Sequence, residues 1–367
     1  MVGLDEETRA LMARTLERFV ADHYDPAVRL ARLKAPHVDY RLHWALLTEL
    51  GLPGLALSAD RGGLGGGAVD LGRAFQILGH GLVLEPVAEA LIGNALLASA
   101  FPADSAALEQ ALAGERVVIA PNLAPGCSLR ISGSGAAVRI SGHLRAVPHA
   151  AQADEWLLAA RTTDGQERLL RLGTAGLNTP GVRMQTFRLL DGRPAADLHF
   201  DEAALPPDAL CGDAAAGTAT LARGRELWLT AQCADAVGVM AHALALTRDY
   251  LRTRIQFGVA LATFQALQHR LADMHMAYLE ACGLLRAWTE AIDDDAPTRR
   301  DALRQALPRV TTRAGRLVGQ EAIQMHGGMG LTEELVISHC NARLQVTGSL
   351  LAPWIASGIH EDVREAT

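Results

Sequence analysis

The stretch "YLRTRIQFGVALATFQALQHRLADMH", Tyr250–His275, reads as the end of one core helix, a tight break and the start of another. The break carries Arg254, Gln256 and Phe257 immediately before Gly258, where a long helix is expected to stop. An Arg at such a place is, by itself, only a partner for the helix dipole. Downstream, Phe264, Leu267, Leu271, Met274, Tyr278, Ala281, Leu285 and Trp288 are spaced alternately three and four apart. That is a sustained single-face stripe on a long helix, the pattern of interhelix packing.

Working outward, "DDDAPTRRDALRQALP" predicts a further helix with Asp residues near its cap and Pro297 in its first turn, broken or kinked at Pro308. Residues 4–110 also read as helical. "DEETRALMARTLERFVADHY" places Leu11, Thr15, Phe19 and Val20 on one face, and Gly51 suits the residue just past a helix end. Between about 116 and 210 the texture changes to short runs rich in Val, Ile and Leu, punctuated by Gly, Pro and Asp. This predicts a small antiparallel sheet or barrel, with a hairpin turning at Ser141-Gly142. The expected class is mainly α with a central β domain: helices over 1–115, a β domain over 116–215 and a helical bundle over 216–367.

Bulk composition excludes several function classes. With 34 basic and 41 acidic residues the net charge is −7, a poor balance for gripping nucleic-acid phosphates. The five cysteines are odd in number, far apart and show no CxxC pair, against a disulfide framework or a zinc site. No HxxxH pair with a nearby carboxylate occurs among the 13 histidines, so no metal site is expected, and no GxSxG elbow is present. The opening "MVGLDEETRA" is acidic and carries no apolar run of the secretory kind. No uninterrupted apolar run reaches the ~18 residues of a membrane span, and a cytoplasmic location is the expectation. The Gly-rich run "RGGLGGGAVDLG", 61–72, fails the GxGxxG spacing and reads as an interhelix turn rather than a phosphate cradle.

A second element alters the reading of the break. "QEAIQMHGGMGLTEE" is expected to end a helix at Gln324 and then runs His326-Gly327-Gly328-Met329-Gly330. Glycines let a backbone approach a ligand closely. Two helix ends, each with a polar group beside a glycine, suit a large polar cofactor.

Together, "YLRTRIQFGVALATFQALQHRLADM" and "AIQMHGGMGLTEE" resemble the two C-terminal signatures of the acyl-CoA dehydrogenase family, and weaker likeness extends over nearly the whole chain. The resemblance implies an N-terminal helical domain, a middle β domain, a C-terminal four-helix bundle, FAD as cofactor and acyl-CoA desaturation as the activity. It also implies the site residues. Arg254 matches the Arg that meets the FAD pyrophosphate, and Phe257 the aromatic on the same half. Gln256 and Gln265 match positions lining the adenosine part. Gln324, Gly327 and Gly328 match the turn that reaches the ADP portion, seated mainly in a neighbouring subunit.

The family's catalytic Glu has no match. One of its two usual positions falls in "CNARLQVTGSLLAPW", and from Ser338 to His360 there is no carboxylate. The other falls at or near Trp228, with Glu226 turned about 200° away around a helix. The middle-domain stretch "IAPNLAPGCSLRISGSG" likewise lacks the Thr-Glu and Ser-Asp of the family's flavin-side loop. No catalytic residue is therefore assigned. The resemblance is to the base-lacking shorter subunit of bacterial heterotetrameric members. Its implied partners are a paralogous chain in an α2β2 assembly, an acyl-CoA substrate and an electron-transfer flavoprotein. An inactive structural homologue and a self-sufficient homo-oligomer with a displaced base remain as alternatives.

Overall fold

Asp5 starts the first helix: its carboxylate accepts the Thr8 N–H at 2.8 Å, satisfying one of the donors a helix start leaves open. The computed structural model describes residues 3–35, 38–126, 128–133, 138–206, 209–211 and 214–365. In chain order the helices and strands begin with α1 (Glu6–His23), α2 (Pro26–Lys34), α3 (Trp44–Glu49), α4 (Ala68–His80), α5 (Val87–Ala100) and α6 (Ser105–Leu112). Then come β1 (Val118–Ile119), β2 (Arg130–Ser132), β3 (Arg139–Pro148), β4 (Glu155–Arg161), β5 (Glu167–Gly173), α7 (Thr174–Leu177), β6 (Val182–Arg188) and β7 (Pro194–Ala204). The chain ends with α8 (Ala214–Thr253), β8 (Ile255–Gln256), β9 (Val259–Ala260), α9 (Gln265–Asp293), α10 (Pro297–His326) and α11 (Val336–Glu365). The expected class, mainly α with a central β region, is the one observed.

The chain divides into two compact units. One comprises Met1–Asp39, Gly67–Val83 and Leu229–Thr367; the other comprises Tyr40–Gly66 and Leu84–Trp228.

In the second unit the seven-stranded sheet runs β1-β4-β2-β3-β7-β6, with β5 on β4. It is mixed rather than purely antiparallel, because β4 pairs in parallel with both β1 and β2. The hairpin expected at Ser141-Gly142 is not there: both residues lie inside β3. Gly142, at φ +130, sits at a register shift against β7, and a Cβ on it would meet the Ser128 carbonyl oxygen at 2.3 Å. The glycine marks a bulge, which a local sequence pattern cannot tell from a turn. Glu155 is fully buried, and Arg171 and Arg116 both pair with it; Arg171 also reaches Asp104 at 2.7 Å. A buried carboxylate needs such compensation.

The first unit is built from helices. α9 packs on α10 and α4, and α10 on α11. Of the α9 stripe, Met274, Ala281, Leu285 and Trp288 are buried, and Trp288 donates its indole N–H to the Thr230 hydroxyl at 2.8 Å. Leu267, Leu271 and Tyr278 are only half-buried and Phe264 is exposed, so the stripe is fully covered only from Ala281 onward, with Met274 buried ahead of it. α4 and α8 cross at backbone contact: a Cβ on Gly238 would lie 1.9 Å from the Gln76 carbonyl oxygen.

The face assigned to α1 is corrected. Ala13, Leu16 and Phe19 are buried, whereas Leu11 is 57% exposed. Both sets fit helical spacing, and contact with α4 selects between them. α10 starts with Pro297 as expected but runs through Pro308 without ending, and no Asp side chain caps it. α8 is long and apolar enough to cross a membrane by composition, yet 72% of its apolar window is buried within the fold.

The Gly-rich run ends at the start of α4, where the helix N–H groups are already occupied. Asp293, at the end of α9, accepts from Ala68 N at 2.7 Å and Val69 N at 3.0 Å, and Asp70 accepts from Gly67 N at 2.8 Å. A carboxylate of the chain itself stands where a phosphate would bind. Asp293→Ala is expected to cost about 1–2 kcal/mol, the worth of a strong N-cap, read as a lowered denaturation midpoint with an unchanged slope.

Candidate functional site

α8 stops at Thr253, earlier than the expected Gly258, and the chain turns into a small antiparallel hairpin. Ile255 faces Ala260 and Gln256 faces Val259 across it, with Phe257-Gly258 as the loop. Phe257 has φ +56 and Gly258 φ +83, the two positive values a tight I′ hairpin turn demands. Gly258 adopts this freely. Phe257 does not: a bulky residue at positive φ costs about 1–3 kcal/mol. Its ring gains little burial in return, being 90% exposed and touching Phe264 edge-on at 6.3 Å. A strained, solvent-facing aromatic marks a place built for contact with something outside the fold.

Arg254 is anchored by its backbone, donating to the Tyr250 carbonyl at 2.8 Å and accepting from Leu261 N at 2.9 Å. Its exposed guanidinium has no ion-pair partner among the described residues. Gln256 on β8, Gln265 at the start of α9 and Gln324 in the last turn of α10 are all exposed. Ile255, Val259, Met329 and Leu331 add further exposed apolar surface at the same two loops.

The second loop begins where α10 ends at His326. Gly327 takes φ 64 and ψ −149, a conformation essentially closed to residues with a Cβ. Gly328 is different: its φ is ordinary and a Cβ there would meet nothing within 4 Å. Nothing inside the chain requires glycine at 328.

Sequence reasoning missed the residues that join these loops. The Tyr250 and His326 rings stack at 4.3 Å between centroids, tilted by 27°. His326 is buried, with Nδ1 at 2.8 Å from the Ala322 carbonyl. Burial holds its pKa below the usual imidazole value, partly countered by that hydrogen bond. The only sequence signal was the position of each aromatic, just before a loop already singled out. Arg254, Gln256, Phe257 and Gln265 thus cluster around one hairpin and its exit, and Gln324, Gly327 and Gly328 around a second loop tied to it through Tyr250.

An Arg without an ion-pair partner among the described residues, an exposed aromatic, three exposed amides and a glycine with open space fit the ADP half of a dinucleotide. The set holds no acid or base. Glu226 lies 3.5 Å from the Arg223 guanidinium on the same helix. Of the 119–135 stretch, Cys127, Ser134 and Gly135 fall outside the described residues. Asn122 in that stretch is committed to β4, exchanging hydrogen bonds with Ala159 at 2.6 and 2.9 Å.

Residues 219–349 match the family described as "Acyl-CoA dehydrogenase, C-terminal domain". The chain is 29% identical over 335 residues to the acyl-CoA dehydrogenase IpdE2 of Mycobacterium tuberculosis, covering 89% of this chain and 88% of that protein. To the acyl-CoA dehydrogenase FadE28 of Mycobacterium tuberculosis it is 30% identical over 298 residues, covering 79% and 82%. In fold it resembles a chain of the ChsE4-ChsE5 complex from Mycobacterium tuberculosis, with a TM-score of 0.85 at 21% identity over 100% of this chain and 99% of that one. The chain belongs to the acyl-CoA dehydrogenase family, whose members are FAD-dependent oxidoreductases.

Proposed function

We propose that this chain is the base-lacking subunit of a hetero-oligomeric acyl-CoA dehydrogenase, and that it clamps the ADP half of an FAD seated mainly in a neighbouring subunit. The observation that carries the reading is the strained hairpin. Arg254 and Phe257 are presented outward, the guanidinium without an ion-pair partner among the described residues, in a chain without a carboxylate at either usual base position. Bound FAD supplies the two-electron oxidant for α,β-desaturation of an acyl-CoA thioester.

The residues of this chain do the holding. Arg254 offers a charge-assisted, bidentate-capable fork to the pyrophosphate, and Phe257 covers the same half with its ring. Gln256, Gln265 and Gln324 supply amide donors and acceptors to the adenosine part. Gly327 and Gly328 let the backbone come close. Removal of the α-proton falls to a Glu of a paralogous chain, which also brings the flavin-side loop. The family's three-part order over 1–115, 116–215 and 216–367 belongs to the same reading, as do α2β2 stoichiometry, a cytoplasmic location and an electron-transfer flavoprotein as acceptor. The likeness in fold to a member of the two-protein ChsE4-ChsE5 complex supports an unlike partner.

The test is mass and colour. The chain expressed alone is expected to be colourless and not a stable monomer by light scattering. Co-expressed with a paralogous chain encoded beside it, one that carries the missing Glu, it should co-purify as a yellow complex. A well-behaved monomer that ignores that partner defeats the shared-FAD model, since the clamp then has no neighbour's cofactor to hold. A yellow homo-oligomer from the chain alone supports a self-sufficient enzyme instead.

A further inference from the structure

We propose that Tyr250 and His326 form a spacer that sets the separation of the hairpin and the Gly327 turn, so that both are positioning residues for FAD. The proposal rests on the reading of those two loops given above. The hairpin has little to hold it in place by itself, whereas the other loop rests on α10 and α11. A two-stranded hairpin is marginal in water, and this one has Phe264 as its ring contact. The other loop opens on a glycine with nothing within 4 Å of where a Cβ would be.

The stacked pair bridges the helix ends from which both loops spring. Tyr250 lies in the last turn of α8, and its carbonyl holds the Arg254 N–H at 2.8 Å, so the start of the hairpin moves with Tyr250. His326 is the last residue of α10. The Tyr250 hydroxyl lies 3.4 Å from the His326 carbonyl oxygen, the oxygen of the peptide bond that enters Gly327. That contact is long, so the ring stack is the stronger link. The imidazole cannot turn freely. A carbonyl only accepts, so the Ala322 contact assigns the proton to Nδ1 and fixes the ring plane against the tyrosine. The stack joins residues 76 positions apart, and through them the Arg254 and Gly328 ends of the clamp share one geometry.

The test compares Tyr250→Ala, Tyr250→Phe and, as reference, Arg254→Ala in the chain co-purified with its partner. Two readouts are taken: amide hydrogen exchange over 255–260 and 327–331, and FAD affinity by flavin fluorescence. Tyr250→Ala is expected to speed exchange in both loops and to weaken FAD binding about tenfold, the scale of a lost aromatic pair. Tyr250→Phe keeps the ring and should recover most of both. Faster exchange confined to 255–260 overturns the spacer. So does unchanged FAD affinity in Tyr250→Ala when Arg254→Ala lowers it. If all three variants leave FAD binding unchanged, the FAD reading itself fails, and the exchange pattern still separates a spacer from a local packing contact. Should Tyr250→Ala not fold, His326→Leu fills the same space without a ring, and the same outcomes apply to it.

Discussion

Assayed alone with added FAD, an artificial electron acceptor and a panel of acyl-CoAs, the chain is expected to be slower than its paired complex by about 10²–10⁴-fold, the usual worth of a positioned general base. Desaturation of a thioester removes an α-proton as hydride leaves the β-carbon, so a carboxylate must stand at the α-carbon. α11 runs through the first usual position with no Asp or Glu between Ser338 and His360. On the proposed reading the second falls at or near Trp228, and Glu226 lies beside the Arg223 guanidinium instead. Turnover of about one per second by the chain alone, an ordinary enzymatic rate, would refute the proposal. Glu226→Gln then becomes the deciding variant: loss of that turnover identifies a displaced base.

Arg254→Ala should weaken FAD binding about ten- to hundredfold, from the loss of a charge-assisted contact worth about 1.5–3 kcal/mol. The same change should move the stability of the chain by less than about 0.5 kcal/mol, as expected for an exposed side chain without a partner. Arg254 makes its hydrogen bonds through the backbone, to Tyr250 and Leu261, and an alanine keeps both. The contrast between a large loss of flavin and an unaltered melt is what distinguishes a clamp from a structural arginine. Normal flavin retention in a correctly assembled complex removes Arg254 from the site. An altered melt with normal retention points to a role in folding instead.

Features with a local cause are legible along the chain. Pro297 starts α10 because proline suits a first helical turn, and Gly51 adopts the left-handed conformation past α3. Met274, Ala281, Leu285 and Trp288 are buried because helical spacing puts them on one face. The break after Tyr250 was legible too, though not its form. The family motifs at 250–274 and 322–334 singled out the two loops, and the missing carboxylate between Ser338 and His360 is a property of the sequence alone.

What only the tertiary structure decided depends on residues distant in the chain. Which face of α1 is inside follows from its contact with α4, and Leu11 lost to Leu16 on that ground. Gly142 looks like a turn residue locally and proves to be a bulge because β7 pairs past it. The Gly-rich run carries no phosphate cradle because Asp293, more than 200 residues away, already occupies the α4 N-terminus. Exposure of Phe257 and the Tyr250–His326 stack were equally hidden, since a sequence records which side chains exist but not which helix ends meet. Local conformational preference acts within about one helical turn or one hairpin, whereas a cap, a bulge or a stack across the fold forms only once the backbone has brought its partners together.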